Sequence, residues 1–116
     1  MRTVNLELAK QLKEAGYPQR PVKYYWSEDK PTGEALLRNF LKHSDWEIYY
    51  ASPTADEILE QLPQTAWETY NLLGGRYVIW YRDAQKNRVE FIEDTLSDAA
   101  AKMWLYLKKE GLLDVS

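Results

Sequence analysis

Three carboxylates at the end of a predicted strand are the residues of this chain best suited to metal-dependent chemistry. Glu90, Glu93 and Asp94 lie on and just after the β-favouring run 89–92. Metal-dependent nucleases and phosphatases often carry carboxylates at strand ends, where their oxygens bind Mg²⁺. The spacing is not specific, because negative charge just before a helix is favourable without any catalysis. A carboxylate-metal enzyme is one hypothesis, and acidic side chains that favour the next helix are the alternative.

Other kinds of catalytic site lack their residues. The chain has one histidine, His43, in the polar sequence 42–45, and it has no cysteine. A Ser-His-Asp triad would need His43 together with a nucleophile elbow, and zinc sites use clustered cysteines and histidines. Gly74 and Gly75 lack the lysine and glycine spacing of a phosphate-binding loop, so the pair is interpreted as a turn. We therefore assign no catalytic, cofactor-binding or metal-binding residue, and we expect no cofactor.

Tryptophan and tyrosine are unusually frequent, with five Trp and nine Tyr against two Phe. Both types combine a large apolar ring with a polar tip, so they suit half-buried sheet faces and protein interfaces alike. Helices covering one face of a sheet would bury many of these rings, and the exposed remainder could form a contact surface or a stacking platform. The candidate interaction surface consists of Tyr25, Trp46, Tyr49, Tyr50, Trp80 and Tyr81.

The overall charge argues against general affinity for nucleic acid. The 15 basic and 18 acidic residues give a net charge of −3, opposite in sign to the surface that phosphate binding usually needs. No apolar stretch has the length of a membrane span, and no signal peptide follows Arg2. With the missing cysteines, this predicts a cytoplasmic protein without membrane contact. The length predicts a single globular domain, residues 1–116.

Hydrophobic periodicity predicts an α+β fold with an antiparallel sheet of about 3–4 strands and helices packed mainly on one face. The predicted strands are 21–26, 46–50, 77–82 and 88–93. The predicted helices are 5–15, 54–62 and 97–110. Apolar residues at spacings of three and four predict an extra helix over 34–42, and the stretch 67–73 fits either a strand or a helical turn.

The helix ends carry sequence signals of their own. Asn5 suits the N-cap of the first helix, and Gly16 suits a left-handed residue after its end. The sequence 54–57, Thr-Ala-Asp-Glu, is a capping box. Thr95 or Ser97 opens the last helix. These signals predict where three helices begin.

Three segments together resemble a group of small uncharacterised phage and prophage proteins. The segments are 5–19 (NLELAKQLKEAGYPQ), 53–63 (PTADEILEQLP) and 99–107 (AAAKMWLYL). In that group an opening helix, a Tyr/Trp-rich strand, a capped helix, a hairpin and an alanine-rich final helix follow in this order. The resemblance implies a phage or prophage origin. It brings no activity and no functional residue with it.

The sequence is compatible with three functions. The leading hypothesis is a non-enzymatic accessory protein that binds an unknown protein or a second copy of itself, through the aromatic surface or the acidic helix face of Asp56, Glu57 and Glu60. The second is a module that binds a small ligand or a single-stranded nucleic acid by aromatic stacking, although nucleic acid is disfavoured by charge. The third is the carboxylate-metal enzyme.

Overall fold

The computed structural model describes residues 3–19, 23–38, 47–62, 67–72, 75–82 and 88–111. The elements follow in the order α1 (Leu6–Glu14), β1 (Tyr25–Asp29), β2 (Ala35–Arg38), β3 (Glu47–Ala51), α2 (Ala55–Leu59), β4 (Trp67–Leu72), β5 (Arg76–Arg82), β6 (Arg88–Glu93) and α3 (Leu96–Lys109). Helices and antiparallel strands are both present, which confirms the predicted α+β class.

The predicted helix starts are confirmed atom by atom. The Asn5 side-chain oxygen accepts a hydrogen bond of 2.8 Å from the Leu8 amide at the start of α1. The Thr95 hydroxyl oxygen accepts one of 3.1 Å from the Asp98 amide at the start of α3. After α1, Gly16 has a φ of +95°, which only glycine adopts without strain. These signals depend on neighbouring residues alone, which explains why the sequence predicted them.

The capping box of α2 is also present. The Thr54 hydroxyl oxygen accepts from the Glu57 amide at 3.3 Å, and the Glu57 carboxylate accepts from the Thr54 amide at 2.9 Å. The helix itself ends at Leu59, earlier than the predicted 62, because the chain tightens into a turn. In that turn the Gln61 amide donates to the Ile58 carbonyl at 2.8 Å.

Thr54→Ala is expected to lower the free energy of unfolding by about 1 kcal/mol, because the first turn of α2 loses a side-chain acceptor. Glu57→Ala removes the reciprocal bond to the Thr54 amide. Since the two bonds close one cycle, the double variant should cost less than the sum of the single variants. Urea denaturation of the three variants measures these costs, and strict additivity would contradict the coupling.

The described strands form two antiparallel sheets of three strands, in the orders β2-β1-β3 and β4-β5-β6. The prediction of one sheet with about 3–4 strands was wrong in this respect. Each sheet joins strands that are consecutive in the chain, and α2 separates β3 from β4. α1 packs against β3, α3 packs against β5 and β6, and α1 contacts α3. The helices therefore link the two sheets through one core.

The extra helix predicted over 34–42 is wrong for its first half, because residues 35–38 form the strand β2. The reason is the turn before it. The Gly33 amide donates to the Asp29 carbonyl at 2.7 Å, and the Asp29 amide donates to the Glu34 carbonyl at 2.8 Å. With Gly33 at a φ of +76°, this turn returns the chain antiparallel to β1. Residues 39–42 lie outside the described part of the chain.

Two other strand boundaries differ from the prediction. β1 begins at Tyr25 and continues through Ser27, Glu28 and Asp29, which the sequence placed in a loop. Polar residues are compatible with this strand where their side chains have polar or charged partners. Glu28, for example, forms an ion pair of 2.7 Å with Lys10 of α1. The ambiguous stretch 67–73 contains the strand β4, which pairs with β5 along its length.

The helix α3 lies at the centre of the core. Ala99, Ala100 and Ala101 are all fully buried, although consecutive helical residues point about 100° apart. α3 is therefore enclosed from several directions, and α1, α2, β5 and β6 all contact it. Small side chains let these neighbours approach its backbone closely. The larger buried residues of the same core cluster are Leu8, Leu12, Tyr17, Ile58, Leu62, Ile79, Tyr81, Met103, Trp104 and Leu107.

The Tyr17 phenol gives this core a pH-dependent stability. Burial, with a smaller contribution from the charges of Glu57 and Glu60, raises the pKa of Tyr17 well above its ordinary value. The unfolded chain would lose this proton near about pH 10, while the folded protein keeps it. The contribution of Tyr17 to stability is therefore complete below about pH 10 and declines as the pH rises toward the folded pKa.

Wild-type protein should accordingly lose up to about 1.4 kcal/mol of stability per pH unit through Tyr17 above about pH 10. Tyr17→Phe keeps the ring and removes the titrating group, so its stability should fall less steeply over the same range. Urea denaturation at a series of alkaline pH values measures both slopes. Equal slopes for the two proteins would contradict the assignment.

Candidate interaction surface

The two sheets divide the aromatic residues predicted to form an interaction surface. Tyr25 is buried in β1, and Tyr81 is buried in the core cluster beneath α3. Neither ring is therefore available for a contact surface in this fold. Tyr49, Tyr50 and Trp80 are half-buried. Trp46 lies outside the described residues.

Tyr50 belongs to the contact between β3 and α1. The ammonium groups of Lys13 and Lys10 lie 5.0 Å and 5.7 Å from the centre of its ring. Lys13 also donates a hydrogen bond of 2.9 Å to the Tyr49 carbonyl. The hydrogen bond and charge of Glu28 raise the pKa of Lys10. These contacts engage Tyr50 in holding α1 on the sheet.

Trp80 lies on the face of the β4-β5-β6 sheet that points away from α3. Ile79 and Tyr81 belong to the core under α3, and strand neighbours alternate between faces, so Trp80 points to the other side. The Arg88 guanidinium lies 4.8 Å from the centre of its ring. Arg88 also forms an ion pair of 2.8 Å with Glu90. We call Trp80, Arg88, Glu90 and Ile92 the outer face.

The strand β2 carries the most exposed apolar side chains. Leu36 is 59% exposed and Leu37 is 44% exposed, and Ile92 on β6 is 41% exposed. Among the described residues these three are the exposed large hydrophobic side chains. All three lie on outermost strands of their sheets. Soluble proteins usually protect such edges with charge or proline, so an apolar edge is a candidate for pairing with another chain.

Sequence reasoning missed β2 because the spacing of its leucines also fits a helix. One signal could have indicated the strand. Asp29 and Gly33 flank a short polar stretch after a β-favouring run, which is a common composition for a hairpin turn. A four-residue strand after that turn places Leu36 and Leu37 on opposite faces.

The structure does not bring the three carboxylates together. Glu90 and Glu93 are three positions apart on β6, so they point to opposite faces. Glu90 pairs with Arg88, and Glu93 forms an ion pair of 2.9 Å with Lys102 of α3. Asp94 follows the strand and is exposed. Within the described residues no group of three or more histidine, aspartate or glutamate side chains is arranged to hold a metal ion.

The other sequence candidates are separate from these surfaces. On α2, Glu57 is engaged in the capping box, while Asp56 and the C-cap residue Glu60 are exposed. His43 and Gly74 lie outside the described residues, and Gly75 has the positive φ of a turn, +80°. The acidic helix face is therefore reduced to two exposed carboxylates.

A shallow depression of about 340 Å³ lies where α2 and α3 begin. Its lining consists of Ala55, Tyr77, Thr95, Leu96 and Ser97. The Thr95 hydroxyl there already serves as the cap of α3. The depression therefore belongs to the junction of two helix starts.

Within the described ranges, no helix is both long enough and apolar enough to cross a membrane. Comparison of the chain with protein families, with curated proteins and with solved structures found no match. The surfaces described above are therefore the basis for a functional proposal.

Proposed function

We propose that this protein is a non-enzymatic accessory protein of a phage or prophage that acts in the host cytoplasm by binding another protein chain. One observation carries the binding role: Leu36 and Leu37, the two most exposed large hydrophobic side chains of the described residues, lie together on the outermost strand β2. The phage origin is supported by the three sequence segments that resemble phage and prophage proteins. The missing cysteines support a reducing compartment.

The edge of a sheet can bind another chain through its backbone. An outermost strand presents backbone N–H and C=O groups to one side, and an added strand can pair with them. Burial of an exposed leucine then contributes about 1.5–3 kcal/mol at most. β2 combines both features in four residues, Ala35–Arg38, with two exposed leucines. This is the arrangement that strand addition uses.

The proposal is tested by affinity capture with the full chain from lysogenic or infected host cells. Wild-type protein should recover a specific partner chain, either a second copy or another protein. A double variant, Leu36→Lys with Leu37→Lys, should lose that partner, because charge on an edge strand disfavours strand pairing. Ile92→Lys, on the edge of the other sheet, is the matched control. Equal recovery by wild type and double variant would contradict a binding role for β2.

A second candidate function is the binding of single-stranded nucleic acid on the outer face. Its supporting observation is the Arg88 guanidinium stacked 4.8 Å from the Trp80 ring, since stacking on aromatic rings with cationic support is how such proteins hold bases. Arg76 is exposed on the same strand as Trp80 and points to the same face. The net charge of −3 and the nearby Glu90 oppose this function.

If the outer face binds single strands, Trp80→Ala should weaken binding by about five-fold to a hundred-fold, the effect of losing one base-aromatic stack. Fluorescence anisotropy of a labelled oligonucleotide at two salt concentrations measures the affinity. Tyr49→Ala, in the other sheet, is the control and should leave it unchanged. No binding by the wild-type protein at low salt would end this second candidate.

A further inference from the structure

The backbone groups of β2 that point away from β1 can be identified from the hydrogen bonds of the described residues. The Asp29 amide donates to the Glu34 carbonyl, so these two residues form a hydrogen-bonded pair. Such pairs alternate along an antiparallel ladder, and the register Ser27↔Leu36 makes Leu36 the next one. The backbone groups of Leu36 therefore point toward β1. Those of Ala35 and Leu37 point outward, away from the sheet.

The other side of β1 gives the same alternation. The Ser52 amide donates to the Tyr24 carbonyl at 2.9 Å, which makes Tyr24 a hydrogen-bonding residue toward β3. Trp26 and Glu28 follow at alternate positions. Tyr25, Ser27 and Asp29 are then the residues that face β2, as the Asp29 hydrogen bond requires. The outward direction of the Ala35 and Leu37 backbone groups thus follows from two independent hydrogen bonds.

A second copy of β2 can pair with this edge only in a few symmetric registers. In an antiparallel pair with a two-fold axis, one residue lies opposite its own copy. An axis at Leu36 places Leu36 opposite Leu36 of the second copy and Ala35 opposite Leu37. Both Ala35–Leu37 pairs then use the outward backbone groups, which gives four hydrogen bonds between the copies. On one face leucine meets leucine, and on the other a large side chain meets a small one.

Charge also favours this register. With the axis at Leu36, Glu34 of each copy lies opposite Arg38 of the other, in a non-hydrogen-bonded pair where side chains are closest. Opposite charges in such pairs are stabilising. An axis at Leu37 would instead place Leu36 opposite Arg38. The sequence Glu34 to Arg38 is thus complementary to itself in size and in charge about Leu36.

We propose that β2 pairs with β2 of a second copy of this chain, antiparallel, with Leu36 on the two-fold axis. The two copies form one continuous sheet in the order β3-β1-β2-β2-β1-β3, and Leu36 and Leu37 each gain an apolar cross-strand neighbour from the other copy. The proposal rests on the proposed binding function and identifies its partner. Because the interface is one short strand from each copy, the dimer is weak and reversible.

Single-cysteine variants test the register directly, since the chain has no cysteine of its own. In this register the two copies of residue 36 are non-hydrogen-bonded neighbours, about 4.5 Å apart between Cα atoms, within reach of a disulfide. Leu36→Cys should therefore form a covalent dimer when glutathione disulfide is added as oxidant. Leu37→Cys is the matched control. Its two copies are offset by two residues and lie beyond disulfide reach, about 8 Å apart.

Sedimentation velocity of the full chain, from low micromolar to near-millimolar concentration, tests the dimer itself. Wild-type protein should shift from monomer to dimer as concentration rises. Leu36→Lys should remain monomeric, because it places two ammonium groups opposite each other, and Ile92→Lys should dimerise like wild type. Glu34→Lys should raise the dissociation constant about tenfold, because two attractive pairs become repulsive. Thermal melting checks that each variant folds.

The possible outcomes separate this inference from the proposed function. Faster cross-linking of Leu37→Cys than of Leu36→Cys would overturn the register. A wild-type protein that stays monomeric at every concentration and a Leu36→Cys variant that does not cross-link would overturn self-pairing. If affinity capture then still recovers a different protein that the β2 double variant loses, the binding function stands with another partner. If affinity capture recovers no partner, both the self-pairing and the proposed binding function are overturned.

Discussion

Trp104→Ala is expected to lower the free energy of unfolding by about 3–5 kcal/mol, the usual cost of removing a large buried aromatic side chain. Trp104 is buried on α3, within the core cluster. Its ring meets the ring of Tyr17 edge to face, with the ring centres 5.0 Å apart. Such a pair contributes about 0.5–1.5 kcal/mol beyond its buried area. Small domains have a total stability of about 5–15 kcal/mol, so this one change removes a large part of it.

Urea denaturation followed by circular dichroism measures this loss. Tyr106→Ala is a matched control on the same helix, because Tyr106 is half-buried and contacts Phe91 at 6.2 Å between ring centres. It should cost clearly less than Trp104→Ala. Trp104→Phe, which keeps an aromatic ring, should also cost less. A cost for Trp104→Ala no greater than that for Tyr106→Ala would show that Trp104 is not central to the core.

The position of Trp104 explains why the effect extends beyond α3. Tyr17 follows the end of α1, and its amide donates a hydrogen bond of 2.8 Å to the Leu12 carbonyl. The Tyr17–Trp104 contact therefore ties the end of α1 to the middle of α3. A second link joins the starts of these helices. The Asp98 carboxylate accepts bonds of 3.0 Å and 3.2 Å from the amide and side chain of Asn5. α1 is thus held to α3 at both ends.

The helix starts could be predicted from the sequence because their causes are local. A cap joins residues three positions apart, as Asn5 and Leu8 or Thr95 and Asp98 show. The hairpin strands β5 and β6 were predictable for a related reason, since they are close in the chain. In both cases the residues that interact lie close together in the sequence.

The strand β2 could not be predicted from spacing, because its conformation depends on residues elsewhere in the chain. Its leucines fit a helical period, but a helix gains stability only when its apolar stripe is covered. In the fold, Leu36 and Leu37 are exposed, and they lie opposite Ser27 and Trp26 of β1 in an antiparallel ladder. Pairing with β1 therefore stabilises a strand here, although the spacing of the leucines also fits a helix.

The sequence predicted that aromatic residues are abundant in the strands, but it did not predict which of them are exposed. Tyr81 and Trp80 are adjacent and both suit a half-buried face, yet Tyr81 is buried under α3 while Trp80 lies on the outer face. Alternation along a strand predicts that the two point to opposite sides. Which side α3 covers depends on the packing of the whole domain. Tyr25 is buried in the other sheet, which its neighbours in sequence did not indicate.

Substitution of the core leucine Leu107 should lower the free energy of unfolding, whereas substitution of the edge leucine Leu36 should weaken dimerisation. Leu107 is fully buried near the end of α3, so Leu107→Ala should lower the free energy of unfolding by about 2–5 kcal/mol. Leu105→Ala, at a half-buried position of the same helix, should cost less. Urea denaturation measures both. A cost for Leu107→Ala below that of Leu105→Ala would contradict the packing of the last turns of α3.

The same pair of leucines separates folding from association. Leu107 belongs to the core cluster on α3 and is not part of β2, so Leu107→Ala at a temperature where it remains folded should dimerise with the wild-type dissociation constant. Leu36→Lys should instead keep the stability of the wild-type protein and lose dimerisation. An exposed position usually tolerates substitution within about 0.5 kcal/mol, so folding is kept while self-association is lost. If Leu36→Lys instead unfolds the protein, β2 stabilises the single chain, and the cross-linking of Leu36→Cys decides whether it also pairs with a second copy.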